Sequence, residues 1–348
     1  MIDFRYHLVS IVAVFLALAI GIVLGSTELR GQTLSALDRA SSSLKSQLDS
    51  SNAQNRTLQG QASGDEAFAQ AAEQRLIGSL LAGQRVLLVA APGASGAVIN
   101  GVAAAVGKAG ATVTGQVALQ PKFFDTSAGT QTLLSTLGEQ IATTAGLTVA
   151  NASAQQQAIQ LLASATLSKD SPGQAAAGSG AGHQVSGTQA QDILSSFAAG
   201  GFLSTSGQPT TRATLAVVLT PANPPAGGAP DPMNQTLVSL AQELTGSSAA
   251  TVVAGSVSGS ARGSAIDALR GSNAASQVSS VDDADTFIGQ IVVAQALYAQ
   301  MNGHKAGSYG IDSGANATGP SPAPVAPTAT PTASPTPTAR AAAAKVRS

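Results

Sequence analysis

Residues 85–117 read RVLLVAAPGASGAVINGVAAAVGKAGATVTGQV, and the order of their patterns decides the fold. Val86-Leu87-Leu88-Val89-Ala90 is an unbroken apolar run of strand length, closed by Pro92-Gly93, as suits a strand buried on both faces. Residues 97–108 have helical character and Gly110 marks their end, after which residues 111–117 read as a second strand. Strand, helix and strand in this order form a β-α-β unit, whose right-handed crossover lays the two strands parallel.

The pattern repeats further along. Apolar strand runs occur at Leu215-Ala216-Val217-Val218-Leu219 and Thr251-Val252-Val253-Ala254, with a weaker one at residues 277–281. Asp231-Pro232 opens a helix bearing Met233, Leu237, Leu240 and Leu244, and Gly246 stops it. Residues 286–301 form a last amphipathic helix. Residues 133–203 read as helical with glycine breaks at 178–182 and 200–201, and residues 221–230 as a loop. The alternation predicts an α/β fold with a mostly parallel sheet, Rossmann- or flavodoxin-like.

On the amino-terminal side, residues 8–24 (LVSIVAVFLALAIGIVL) carry no charge, and Ser10 is the one polar side chain. With Tyr6, His7 and residues 25–27 the stretch matches a hydrocarbon core of roughly 30 Å. Leu8, Phe15, Leu16, Ile20 and Leu24 are its anchoring residues. A cleaved leader is the alternative, but the stretch exceeds a usual h-region and Val23-Leu24-Gly25 is a poor small-x-small exit. Basic residues lie on both flanks (Arg5; Arg30, Arg39, Lys45), so charge gives no clean orientation. A short head before a large domain favours placing that domain outside the cytoplasm.

Residues 28–81 lack proline and suit helix. Leu34, Leu37, Leu44, Leu48 and Leu58, with Ala62, Ala69 and Leu76, share one seam of three- and four-residue steps; Ser41, Ser51, Asn55 and Asp65 share it too. Gly60 and Gly64 are expected to interrupt this helix, with Asp65-Glu66 starting another. The seam reads as a coiled-coil stalk that forms a homo-oligomer or holds a hetero-partner; the alternative is a helix lying on its own domain.

Composition limits the chemistry. The 348 residues are 44% hydrophobic but 10% charged and 3% aromatic, with a net charge of −1. Such a chain has no global field to steer it towards nucleic acid. The absence of cysteine excludes disulfides, thiolate metal sites and cysteine nucleophiles. The turn Ala91-Pro92-Gly93-Ala94-Ser95-Gly96 lacks the leading glycine of a dinucleotide fingerprint, and Pro92 removes a donor from any phosphate cradle. Asp282-Asp283-Ala284-Asp285 lacks a calcium-loop layout and reads as capping for the last helix. No triad, Walker or zinc-protease pattern is present, so the chain is not expected to be an enzyme, and no cofactor is assigned.

The opening residues carry a resemblance. Arg5-Tyr6-His7-Leu8-Val9-Ser10, leading into Phe15-Leu16-Ala17-Leu18-Ala19-Ile20-Gly21-Ile22-Val23-Leu24-Gly25, resembles the start of the MctB family. The layout to about residue 311, closing on Tyr309-Gly310, is similar in outline. The resemblance implies an actinobacterial cell-envelope protein of copper efflux. It also implies a second function, because a corynebacterial relative acts in cell separation beside a membrane partner that controls a peptidoglycan hydrolase. Copper favours thioether and imidazole ligands, and the candidates are His7, Met301 and His304. Transport by a pore of this chain alone fits poorly, since membrane barrels need strands of about ten residues with alternating faces. The expected organisation is an anchor over 1–27, a helical stalk over 28–82, an extracytoplasmic α/β domain over 83–311 and a disordered Pro/Ala/Thr-rich tail over 312–348.

Overall fold

The computed structural model describes residues 4–149, 152–169, 185–223, 232–303 and 305–321, with backbone alone at 4–5 and 26–36. The chain divides into two units, Met1–Ala67 and Phe68–Ser348.

The first unit is helix. The element α1 (Phe4–Ile77) fills it and continues into the second unit. Within it Tyr6–Gly25 is 20 residues with a hydropathy of 2.9, long and apolar enough to cross a membrane. The expected break at Gly60 and Gly64 is absent, and Asp65-Glu66 starts nothing: α1 passes through all four. A glycine costs a helix only about 1 kcal/mol relative to alanine. With no proline nearby and helix-forming Leu58, Gln59, Gln61 and Ala62 around them, two such costs do not end it.

The second unit is a seven-stranded sheet in the order β3-β2-β1-β4-β5-β6-β7. The strands are β1 (Arg85–Ala90), β2 (Thr112–Leu119), β3 (Leu203–Gly207), β4 (Leu215–Leu219), β5 (Ala250–Ala254), β6 (Ser279–Val281) and β7 (Ser308–Tyr309). All neighbours are parallel except β2 and β3. That antiparallel edge was not foreseen, because Leu203-Ser204-Thr205-Ser206-Gly207 is polar and exposed after its first residue.

Residue alternation explains why the central strands are apolar throughout. Leu87, Val89, Ala216, Val218 and Val253 face one core. Val86, Leu88, Leu215, Val217, Leu219 and Val252 face the other. Successive side chains point to opposite faces, so a strand covered on both sides must be apolar at every position. The first core is roofed by α3 (Ala128–Ala145), α4 (Ala154–Thr166), α5 (Gly187–Ala199), α6 (Pro232–Ser247) and α7 (Ala265–Arg270). Ser153 and Ser186 start α4 and α5 through capping boxes with Gln156 and Gln189.

The second core is covered by α2 (Gly96–Lys108), α8 (Phe287–Met301) and the end of α1. Ala69, Leu76 and Ile77 pack into it, and Lys108 Nζ reaches Glu73 Oε2 at 2.7 Å. Of the residues assigned to the stalk seam from sequence, Ala69 is thus a core residue of this domain and Leu76 packs half-buried against that core. Past β7 the chain still bonds the sheet: Gly310 N–H donates to Ala317 O (3.1 Å) and Asn316 N–H to Ser308 O (2.8 Å). The tail expected from residue 312 falls, beyond Ser321, outside the described residues.

Candidate functional site

Open parallel sheets bind ligands outside the carboxyl ends of their strands, where the strand order reverses. Here that point lies between β1 and β4. The loops there are bonded to one another. Ala222 N–H donates to Gly93 O (2.9 Å), Ser256 Oγ–H to Ala222 O (3.0 Å) and Ala284 N–H to Gly255 O (2.8 Å). Ser95 precedes α2 in extended conformation without capping it through its side chain. The turn after β1 is thus a brace between loops, and its geometry adds no phosphate cradle to the incomplete motif.

The acidic run after β6 is not a helix cap. Thr286 caps α8 instead, its Oγ1 accepting from Gly289 N–H at 3.0 Å. Asp282 is fully buried and faces Arg270, Oδ2 to Nη2 at 2.8 Å. Arg270 also donates to Ser280 Oγ (3.0 Å) and Tyr309 O (2.9 Å), while Asp282 Oδ1 accepts from the N–H groups of Ile311 (2.9 Å) and Asp312 (3.3 Å). A desolvated carboxylate so surrounded is compensated on both oxygens. Gly310 is required there: its φ is +129°, and a Cβ would collide with the Asp282 carboxylate. The cluster therefore clasps the segment after β7 to the sheet.

The neighbouring acids go separate ways. Asp285 Oδ1 accepts from Val257 N–H at 3.2 Å. Asp283 is 4% exposed, and its Oδ1 is buried without a hydrogen-bond partner. Burial pushes its carboxyl up to about 6, and the charge of Asp282 adds to the effect. Among the described residues no three His, Cys, Asp or Glu side chains converge as a metal site would need.

The residues expected to contact copper are spread over the two units and the residues outside the described ones. His7 is exposed on α1, in the first unit. Met301 ends α8, in the second unit, half-buried against the core. His304 lies outside the described residues. The side chains expected to anchor the chain, Leu8, Phe15, Leu16, Ile20 and Leu24, are all exposed. Of the leucines expected to form a stalk, Leu37, Leu44, Leu48 and Leu58 are 59–66% exposed, and the side chain of Leu34 lies outside the described ones. A further feature had no local sequence signal. α3 and α5 enclose a cleft of about 290 Å³, whose lining includes Leu137, Ile141, Thr144, Gln189, Asp192 and Ile193.

Comparison with known proteins gives the biological frame. The family model described as "Copper transport outer membrane protein, MctB" matches residues 1–320. The protein named "Copper transporter MctB" of Mycobacterium bovis is 32% identical over 325 residues, spanning 90% of this chain and 98% of the relative. Its namesake in Mycobacterium tuberculosis has the same identity and coverage. That of Mycobacterium leprae is 30% identical over 328 residues, 91% of this chain and 98% of the relative. Matched from the anchor-length helix through the segment clasped by Asp282, the chain belongs to the MctB family.

Proposed function

We propose that this chain is an MctB-like cell-envelope protein of copper homeostasis, held in a membrane by residues 6–25 with its α/β domain outside the cytoplasm. The observation that carries the reading is the family match over residues 1–320, which takes in the membrane-length helix and the sheet domain together. The architecture favours action with partners over a pore made by one copy. The sheet is open and roofed by helices on both faces, the opposite of a lipid-facing barrel with its alternating strands. A single helix encloses no path. Copper is then cargo handled by an assembly; His7, Met301 and His304 are the imidazole and thioether groups through which this chain would touch it. The role is non-enzymatic, since the buried polar groups at the carboxyl edge mainly brace loops.

A second reading, a scaffold or regulator of cell separation, draws support from the uncovered leucines of α1, a surface made for a protein rather than an ion. Deletion of the gene distinguishes the two. Copper sensitivity and raised cell copper with normal septation, restored by the full chain, are the expected result. Chained cells with unchanged copper tolerance would overturn it in favour of the second reading.

A further inference from the structure

Every residue from 37 to 68 is exposed, although the segment is one continuous helix. Isolated helices in water are marginal, and in proteins their stability comes chiefly from packing of an apolar face. That face is present. Leu37, Ser41, Leu44, Leu48, Ser51, Asn55, Leu58 and Ala62 follow one another at alternating four- and three-residue steps, and the four leucines are exposed. Two turns further on, Ala69 of this seam is covered by the domain itself, whereas the leucines are not.

We infer that this face pairs with the same face of a second copy of the chain, parallel and in register, as a two-stranded coiled coil. The inference rests on the anchoring reading above: copies inserted in one membrane through residues 6–25 present their α1 helices side by side and in the same direction. The seam fits such a partner. In register, Ser41 meets Ser41, Ser51 meets Ser51 and Asn55 meets Asn55, while each leucine meets a leucine; the pairing ends at Ala62, because Asp65, next on the seam, would face its own copy as a like charge. Sliding one copy by a heptad sets Ser41 against Leu48, Asn55 against Leu48 and Ser51 against Leu58, which buries polar groups without partners. A single asparagine in a seam fixes register and favours two strands. The flanking positions raise no objection. In the parallel pair Ala40 faces Lys45, Gln47 faces Asn52 and Gln54 faces Gln59, with no like charges opposed.

The chain has no cysteine, so single replacements report on pairing without background. Leu37→Cys, Leu58→Cys and Ala53→Cys, the last on the opposite side of the helix, are made in the full chain. Each is oxidised in membranes of cells producing two differently tagged copies. Disulfide-linked pairs carrying both tags at positions 37 and 58, with at least tenfold less at 53, are expected, because facing seam positions fall within the 4.4–6.8 Å Cα separation a disulfide needs. Membrane-bound chain that fails to link at 58, links equally at 53, or links to another polypeptide would overturn the pairing and leave the anchoring intact. Recovery of the chain in the soluble fraction would overturn the anchoring and the parallel alignment with it.

Discussion

Asp283 shows how one side chain sets a pH dependence. Its carboxyl is raised to about 6, first by burial and then by the charge of Asp282. The folded state therefore holds its proton more tightly than the unfolded chain does. The stability this contributes is complete below about 3.8, the unfolded value, and is lost as pH rises through about 6. Asp125 has the opposite sign: hydroxyls of Thr130 and Ser127 and the Ser127 N–H hold its carboxyl low. Its contribution is present at neutral pH and fades as the pH falls below the usual carboxylate range. Asp283→Asn removes the ionisable group while keeping the shape. Denaturant unfolding should show the variant more stable than the parent at pH 7.5, by on the order of 2 kcal/mol, with the difference vanishing near pH 4. An equal effect at both pH values would mean that the carboxylate is compensated when charged. None of this was legible in the acidic run itself. Asp282 finds Arg270 twelve positions back through the fold, and the segment that donates to it comes after β7.

At the scale of elements, the central strands and the helices of the sheet domain were readable because their patterns are local. β1, β4 and β5 are apolar at nearly every position since both faces are covered, and residues 133–203 read as helical, although the boundary between α3 and α4 and the Ser-x-x-Gln boxes that start α4 and α5 were not read. What escaped reading was decided by tertiary contact. β3 is polar and exists as a strand because β2 offers a free edge, and β7 is two residues held by β6 and the Asp282 clasp. The glycines of α1 were over-read: each weakens the helix without ending it. Gly60→Ala and Gly64→Ala, whose added methyls meet nothing within 4 Å, should each stabilise the helix locally by about 0.5–1 kcal/mol. Amide exchange across residues 56–66 should then slow by roughly two- to fivefold per substitution. Exchange at free-chain rates in parent and variants alike would show a broken helix.

Across the whole molecule, family membership covers both units: a helix of membrane-crossing length and an α/β domain with two cores. The candidate copper ligands were the least legible part. Candidate imidazole and thioether groups are few and scattered along the chain, and spacing along a sequence does not report convergence in space. Both functional readings require the sheet domain to stand outside the cytoplasm on its anchor, and one measurement tests that most directly. Thr205 is exposed on the edge strand β3, in a chain without cysteine. Full-length chain carrying Thr205→Cys, in intact spheroplasts, is treated with a membrane-impermeant maleimide. Labelling before lysis, to the same extent as after it, is predicted. Labelling only after lysis would place the domain in the cytoplasm and contradict the account.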